Sequence, residues 1–220
     1  FLKKLGADSN KMIYVPNGIP EEFFKIKISK NKIQNKILFF GRIAPIKDIE
    51  TLVQAFKICS EKNKNLSLDF VGPIEEDYGK KIKSLVEKLN LEKKIIFHNP
   101  LYSLKEKIKV IDSCNIFVLP SKREAMPQAL IEVMSREKIV ISSRTEGGKE
   151  IIKDNENGYL FEIGNEKQLA EKILLAFEKN KLNEKIKKNA RNSVKQFSWN
   201  ILADRIEKII KEEVKSQQFL

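Results

Sequence analysis

The 220-residue sequence is poor in the side chains that carry soft-metal, redox or imidazole chemistry, with one histidine, one tryptophan and two cysteines. Cys59 and Cys114 lie far apart, each in an apolar stretch and neither at metal-ligand spacing, so buried, reduced thiols are expected rather than a disulfide. His98 stands beside Asn99 with no partner evident in the sequence, which suits a strand end or loop better than a catalytic base. No Ser/His/Asp triad or metal cluster stands out. No run approaches the ~20 apolar residues of a membrane-spanning helix. The N-terminus, from Phe1 to Leu5, has neither an initiator Met nor a signal-peptide core, and reads as a cut inside a longer cytoplasmic protein. Internal repeats, low-complexity tracts and linkers long enough to separate two cores are also missing.

Arginine is scarce as well. Arg42, Arg123, Arg136, Arg144, Arg191 and Arg205 are the only ones, so the formal net charge of +12 is almost entirely lysine. Lysine alternates with glutamate, as in Lys80, Lys81 and Lys83 followed by Glu87 and Lys88, which describes solvated helix faces. With no aromatic-rich RNA-binding motif or helix-turn-helix, base-specific nucleic-acid readout is not expected. A basic surface facing anionic lipid or a phosphorylated acceptor is the alternative use of the charge.

What is present is an alternation of apolar runs and helical patterns. Strands are expected at 12–15, 36–40, 66–71, 94–97, 115–119, 138–141 and 158–161, with helices at about 48–62, 78–89, 104–113 and 127–136. From Glu166 onward only helical patterns remain, broken near Ser198 and Trp199, the latter an apolar anchor for the last helix. Strands that are apolar throughout, each separated by a helix, predict an α/β, Rossmann-like doubly wound parallel sheet with a C-terminal helical extension. In such folds ligands sit beyond the carboxyl ends of the strands. The positions to examine are therefore Asn17–Gly18, Gly41–Arg42, Gly72–Pro73, His98–Asn99, Pro120–Ser121 and Ser142–Ser143.

Three of these stretches have chemical content. Gly41 lets the chain turn after its strand, while Arg42 and Lys47 bring two cations to the ligand edge; as a pair they suit a diphosphate. The segment from Ser121 through Glu124, Met126 and Pro127 enters the next helix, whose first N–H groups, at Gln128 and Ala129, form an anion site. Pro127 itself offers no N–H and only sets the helix start. Glu124 and Glu132, if both on that helix, would stand ~12 Å apart at ~1.5 Å rise per residue. A hydrolytic carboxyl pair needs roughly 5 to 9.5 Å. The spacing suits the two ends of an extended ligand, whose hydroxyls carboxylates accept well. Gly147 and Gly148 permit close approach of backbone to a ligand, with Glu150 capping or orienting their loop.

Taken together, these segments resemble the GT4 family, also called glycosyl transferases group 1. The matches run in order along nearly the whole chain: Val15-Pro16-Asn17-Gly18-Ile19; Gly41-Arg42 with Lys47; Phe70-Val71-Gly72-Pro73; Phe117 to Ser121 followed by Glu124 and Glu132 at the E-x7-E spacing; and Asn157-Gly158-Tyr159-Leu160-Phe161. The resemblance implies the C-terminal, donor-binding half of a two-domain GT-B fold. It divides the chain into an interdomain linker (1–18), a nucleotide-sugar-binding domain (19–180) and C-terminal helices (181–220). It implies transfer of a hexosyl group from a nucleoside-diphosphate sugar, a UDP-sugar by expectation, with retention and with no cofactor or obligatory metal. Arg42 and Lys47 would contact the diphosphate, Glu132 the ribose, and Glu124 the sugar or its developing oxocarbenium ion. Gly41, Gly72, Pro73, Met126, Pro127, Gln128 and Ala129 would complete the donor site.

The acceptor, a saccharide or lipid-linked glycan in envelope polysaccharide, lipopolysaccharide or glycolipid assembly, would be held by an N-terminal domain outside this sequence. The work would be done at the inner face of the cell membrane, with peripheral contact and no nucleic acid. Two departures stand out: Ala125 where the family more often has glycine, and a glycine-rich loop shorter than usual. A sugar-nucleotide 2-epimerase of the same fold and a non-catalytic nucleotide- or nucleic-acid-binding module are the rival readings.

Overall fold

The computed structural model describes residues 5–8, 12–28, 35–178 and 181–217. Six strands, β1 (Lys36–Phe40), β2 (Ser67–Val71), β3 (Ile95–His98), β4 (Ile116–Leu119), β5 (Ile139–Ser143) and β6 (Tyr159–Phe161), form one sheet in the order β3-β2-β1-β4-β5-β6. Every pairing is parallel. The central strands are apolar on both sides because both faces are covered; all four residues of β4 are buried. The order reverses between β1 and β4, which places a topological switch point there.

One layer holds α2 (Ile49–Lys62), α3 (Glu76–Lys88) and α7 (Glu166–Phe177), with α2 packed on both others. The other holds α5 (Gln128–Ser135) against the short α1 (Glu22–Lys25) and α8 (Lys181–Val194). The helix α4 (Leu104–Asp112) joins this second layer through ion pairs to α5 and its C-cap. Ser103 caps α4, accepting from the Glu106 N–H at 3.1 Å and donating to the Glu106 carboxylate at 2.9 Å. Arg136, just past α5, is fully buried and bidentate to Asp112 (2.9 and 2.6 Å), and also donates to the carbonyls of Phe23 and Ile26. That one guanidinium ties α1, α4 and α5 together.

Two expectations fail. Residues 12–15 form no strand: Ile13, Tyr14 and Val15 are exposed, and among the described residues no strand pairs with them to share their backbone hydrogen bonds. The glycine pair is helical, not a loop: Thr145 accepts from the Gly148 N–H at 3.1 Å and opens α6 (Glu146–Ile151). The last helix, α9 (Trp199–Gln217), is anchored at its start, where Trp199 packs on Gly18 and its N–H donates to the Ile19 carbonyl at 3.1 Å. The two cysteines are free and buried, as the sequence suggests. No described helix is long and apolar enough to cross a membrane.

Candidate active site

The carboxyl ends of β1 and β4 open onto a cleft of about 390 Å³. Its walls are Phe40, Gly41, Arg42, Lys47, Lys107, Leu119, Glu124, Met126, Pro127, Gln128, Ala129 and Glu132. A larger cleft of about 1540 Å³ lies at the opposite, amino edge of the sheet, between Asn35, Asn115, Lys138 and α8. Topology decides between them, because only the smaller one sits at the switch point, where fixed strand ends and a helix N-terminus converge.

The β1 wall is made by backbone crowding. Gly41 (φ 149°) donates its N–H to the Val71 carbonyl at 2.9 Å, and a Cβ on Gly72 (φ 143°) would strike the Gly41 carbonyl. Gly72 and Pro73 thus stand behind Gly41 and support it, while the other donor residues expected from the sequence line the cleft itself. After Arg42, a single 3-10 turn, Pro45–Lys47, swings Lys47 towards the loop that follows β4. The two loops are stitched by the Lys122 N–H donating to the Ile46 carbonyl at 2.9 Å.

Helix α5 begins at Gln128, because Pro127 (φ −77°, ψ 93°) is its N-cap. Glu124 therefore lies before the helix and Glu132 inside it, so the condition under which the two would stand ~12 Å apart on one helix is not met. The N–H groups of Gln128 and Ala129 open the first turn, while Leu130 already donates to the Pro127 carbonyl at 3.0 Å.

Each carboxylate is held by a lysine. Glu124 accepts from Lys47 at 2.5 Å and from the Ser121 hydroxyl at 2.6 Å, and its own carbonyl accepts from the Gly147 N–H at 3.0 Å. Glu132 is buried and accepts from Lys107 at 2.9 Å. Burial pushes the Glu132 carboxyl above its ordinary value, and the Lys107 ammonium opposes that rise. Arg42 is the most exposed of the cleft cations, loosely paired with Glu75 at 3.4 Å. The cleft thus presents three cations and a helix N-terminus between two anchored carboxylates, which is the charge pattern an extended dianion with hydroxyls at both ends requires.

Lys107 escapes motif reading: nothing near it in sequence marks it, and only the crossing of α4 beside β1 brings its ammonium 5.0 Å from the Phe40 ring and onto Glu132. Segment 12–18 is brought in as well. The Asn17 N–H donates to the Met126 sulfur at 3.2 Å and the Gln128 amide to the Gly18 carbonyl at 3.3 Å. The glycine pair approaches the protein's own loop, since a Cβ on Gly147 would strike the Ala125 carbonyl. Thr145, not Glu150, caps that helix. His98 closes the edge strand β3 and does find a partner, bonding the buried Asp69 carboxylate at 3.1 Å.

The pattern of the family described as glycosyl transferases group 1 matches residues 20–193. The chain is 29% identical over 217 residues to the capsular polysaccharide biosynthesis glycosyltransferase CapM of Staphylococcus aureus, covering 92% of this chain and 54% of that protein. It spans about half the length of the curated relatives it matches over most of its own length. Its fold superposes with a TM-score of 0.84 on Anabaena Alr3699/HepE in complex with UDP and glucose, at 21% identity, over 95% of this chain and 59% of that one. The C-terminal domain of the group 1 family protein LpcC from Francisella tularensis gives a TM-score of 0.68 at 26% identity, over 86% of this chain and 96% of that one. The chain belongs to the glycosyl transferases group 1 family.

Proposed function

We propose that this chain is the donor-binding, C-terminal half of a retaining GT-B hexosyltransferase that uses a nucleoside-diphosphate sugar, a UDP-sugar first among them. The observation that carries the reading is the convergence of Arg42, Lys47 and the N-terminus of α5 in one cleft flanked by Glu124 and Glu132. Arg42 and Lys47 grip the diphosphate, aided by the N–H groups of Gln128 and Ala129. Glu132 accepts from the ribose, and Glu124 faces the transferred sugar. As the bond from the anomeric carbon to the diphosphate breaks, its electron pair leaves with the diphosphate. The cations stabilise that charge, in the role a metal plays elsewhere. The acceptor hydroxyl oxygen then bonds to the anomeric carbon on the face the diphosphate leaves, and its proton passes to the departing diphosphate oxygen.

Lys47 has two claimants in this scheme. It pairs with Glu124; on donor binding it turns to the phosphates, and Glu124 is left to face the sugar. Residues 1–18 serve as the interdomain linker, 19–180 as the nucleotide-sugar domain and 181–220 as the closing helices. The acceptor, a saccharide or lipid-linked glycan of envelope polysaccharide, lipopolysaccharide or glycolipid assembly, is held by a further N-terminal domain. The reaction takes place at the cytoplasmic face of the membrane. This chain alone binds donor and turns over slowly or not at all.

Calorimetry with UDP, GDP, ADP and their sugars tests the reading. One nucleotide is expected to bind in the micromolar-to-millimolar range, with a clear loss in Lys47→Ala and in Glu132→Ala. Unchanged binding in both variants, or tighter salt-sensitive binding to oligonucleotides, overturns it.

A further inference from the structure

We propose that Lys107 is a positioning residue of the nucleotide site, holding the Glu132 carboxylate in place as the acceptor for the donor's ribose hydroxyls. The inference rests on the donor-binding reading above. Lys107 belongs to α4, outside every motif that marks the cleft, yet it lines the cleft and ends 2.9 Å from Glu132. Its own place is determined from three sides. The Ser103 cap sets the first turn of α4, the Lys107 N–H donates to the Ser103 carbonyl at 3.1 Å, and the Phe40 ring lies 5.0 Å beneath the ammonium. Lys107 is a quarter exposed and Glu132 a tenth, so the pair is only partly screened by water.

Glu132 needs such a partner. It stands within α5, buried, and burial favours its neutral form. Without Lys107 the carboxyl would either take up a proton and lose acceptor capacity or stay charged and uncompensated beside an incoming diphosphate. With Lys107 on Oε1, the anion is kept and one oxygen is fixed, which leaves the rest of the carboxylate to meet a vicinal diol. Lys47 is different in kind, because it reaches the phosphates itself; Lys107 acts through Glu132.

A double-mutant cycle separates these roles. UDP, GDP and ADP are first screened by calorimetry on this chain, and the tightest binder is carried through Lys107→Met, Lys107→Arg, Glu132→Gln and Lys107→Met/Glu132→Gln. Pyrophosphate, which lacks a ribose, is titrated in parallel. Lys107→Met is expected to weaken the nucleotide about tenfold or more, Lys107→Arg to restore most of it, and the double variant to bind no worse than Glu132→Gln alone. Pyrophosphate is expected to lose distinctly less than the nucleotide. Additive losses in the double variant, or equal losses for pyrophosphate and nucleotide, overturn the proposal and make Lys107 a plain electrostatic contributor. Should Lys107→Met not fold, the Lys107→Gln and Lys107→Arg arms carry the same comparison. If wild type binds no nucleotide, the donor reading falls, and this proposal with it.

Discussion

The backbone N–H of Gly147 donates to the carbonyl of Glu124 at 3.0 Å, so the first turn of α6 sets the position of the loop that carries the Glu124 carboxylate. The approach is close enough that any Cβ at Gly147 meets the Ala125 carbonyl and the Pro127 ring. A helix remote in sequence from the cleft therefore shapes one end of it.

Gly147→Ala should displace that loop. We expect a loss of about 1–3 kcal/mol in folding stability, typical of overpacking a tight site, together with weaker donor-nucleotide binding. Urea unfolding and a UDP titration on the same preparation measure both. A variant equal to wild type in stability and affinity would show that the loop adapts without cost.

Arg136 is fully buried between Asp112 and the carbonyls of Phe23 and Ile26. Arg136→Met removes five donors and takes the guanidinium away from the buried Asp112 carboxylate. About 3–5 kcal/mol of destabilisation is expected, as for breaking one side of a buried pair. The fall in urea midpoint reports it, and Asp112→Asn/Arg136→Met should recover part of the loss because no buried carboxylate is then left without its guanidinium. A midpoint within error of wild type would rule out the keystone role.

Burial pushes the thiols of Cys59 and Cys114 up to about 12. Only the thiolate reacts with aromatic disulfide reagents, so native protein at pH 8 should show almost no release of the coloured thiol. Both thiols should appear once urea unfolds the chain. Rapid reaction of the native protein would mean that one of the two sites opens far below the global unfolding threshold.

The sign of one pH effect follows from Glu132. Its folded-state value lies above the unfolded 4.5, so the folded chain holds a proton that the unfolded chain has lost in the window just above 4.5. Over that window the contribution of this group to stability declines as pH rises, and it is recovered as pH falls. Relative to Glu132→Gln, wild type should therefore gain stability between pH 7 and pH 4.5. A difference that stays flat across that interval would place Glu132 in a solvated setting instead.

Much of this protein is determined locally and can be read from the chain. Ile116 to Leu119 are apolar at every position, which only a strand covered on both faces accommodates, and the same logic yields the parallel sheet. Arg42, Lys47, Glu124 and Glu132 are legible because each lies within a few residues of a strand end or helix start, where backbone geometry aims side chains at the ligand edge. Tertiary structure decided the rest. Residues 12–15 have the composition of a strand and, among the described residues, no strand to pair with, while Gly147 and Gly148 look like a loop until the cap of Thr145 and the proximity of Ala125 explain them. Pro127 starts α5 after Glu124, so the two glutamates face the cleft from a loop and from a helix rather than from one rod. Lys107 and Glu132 meet although their helices are separated in the chain by the strand β4. Contacts of that kind depend on where the chain returns, and spacing along the sequence carries no record of it.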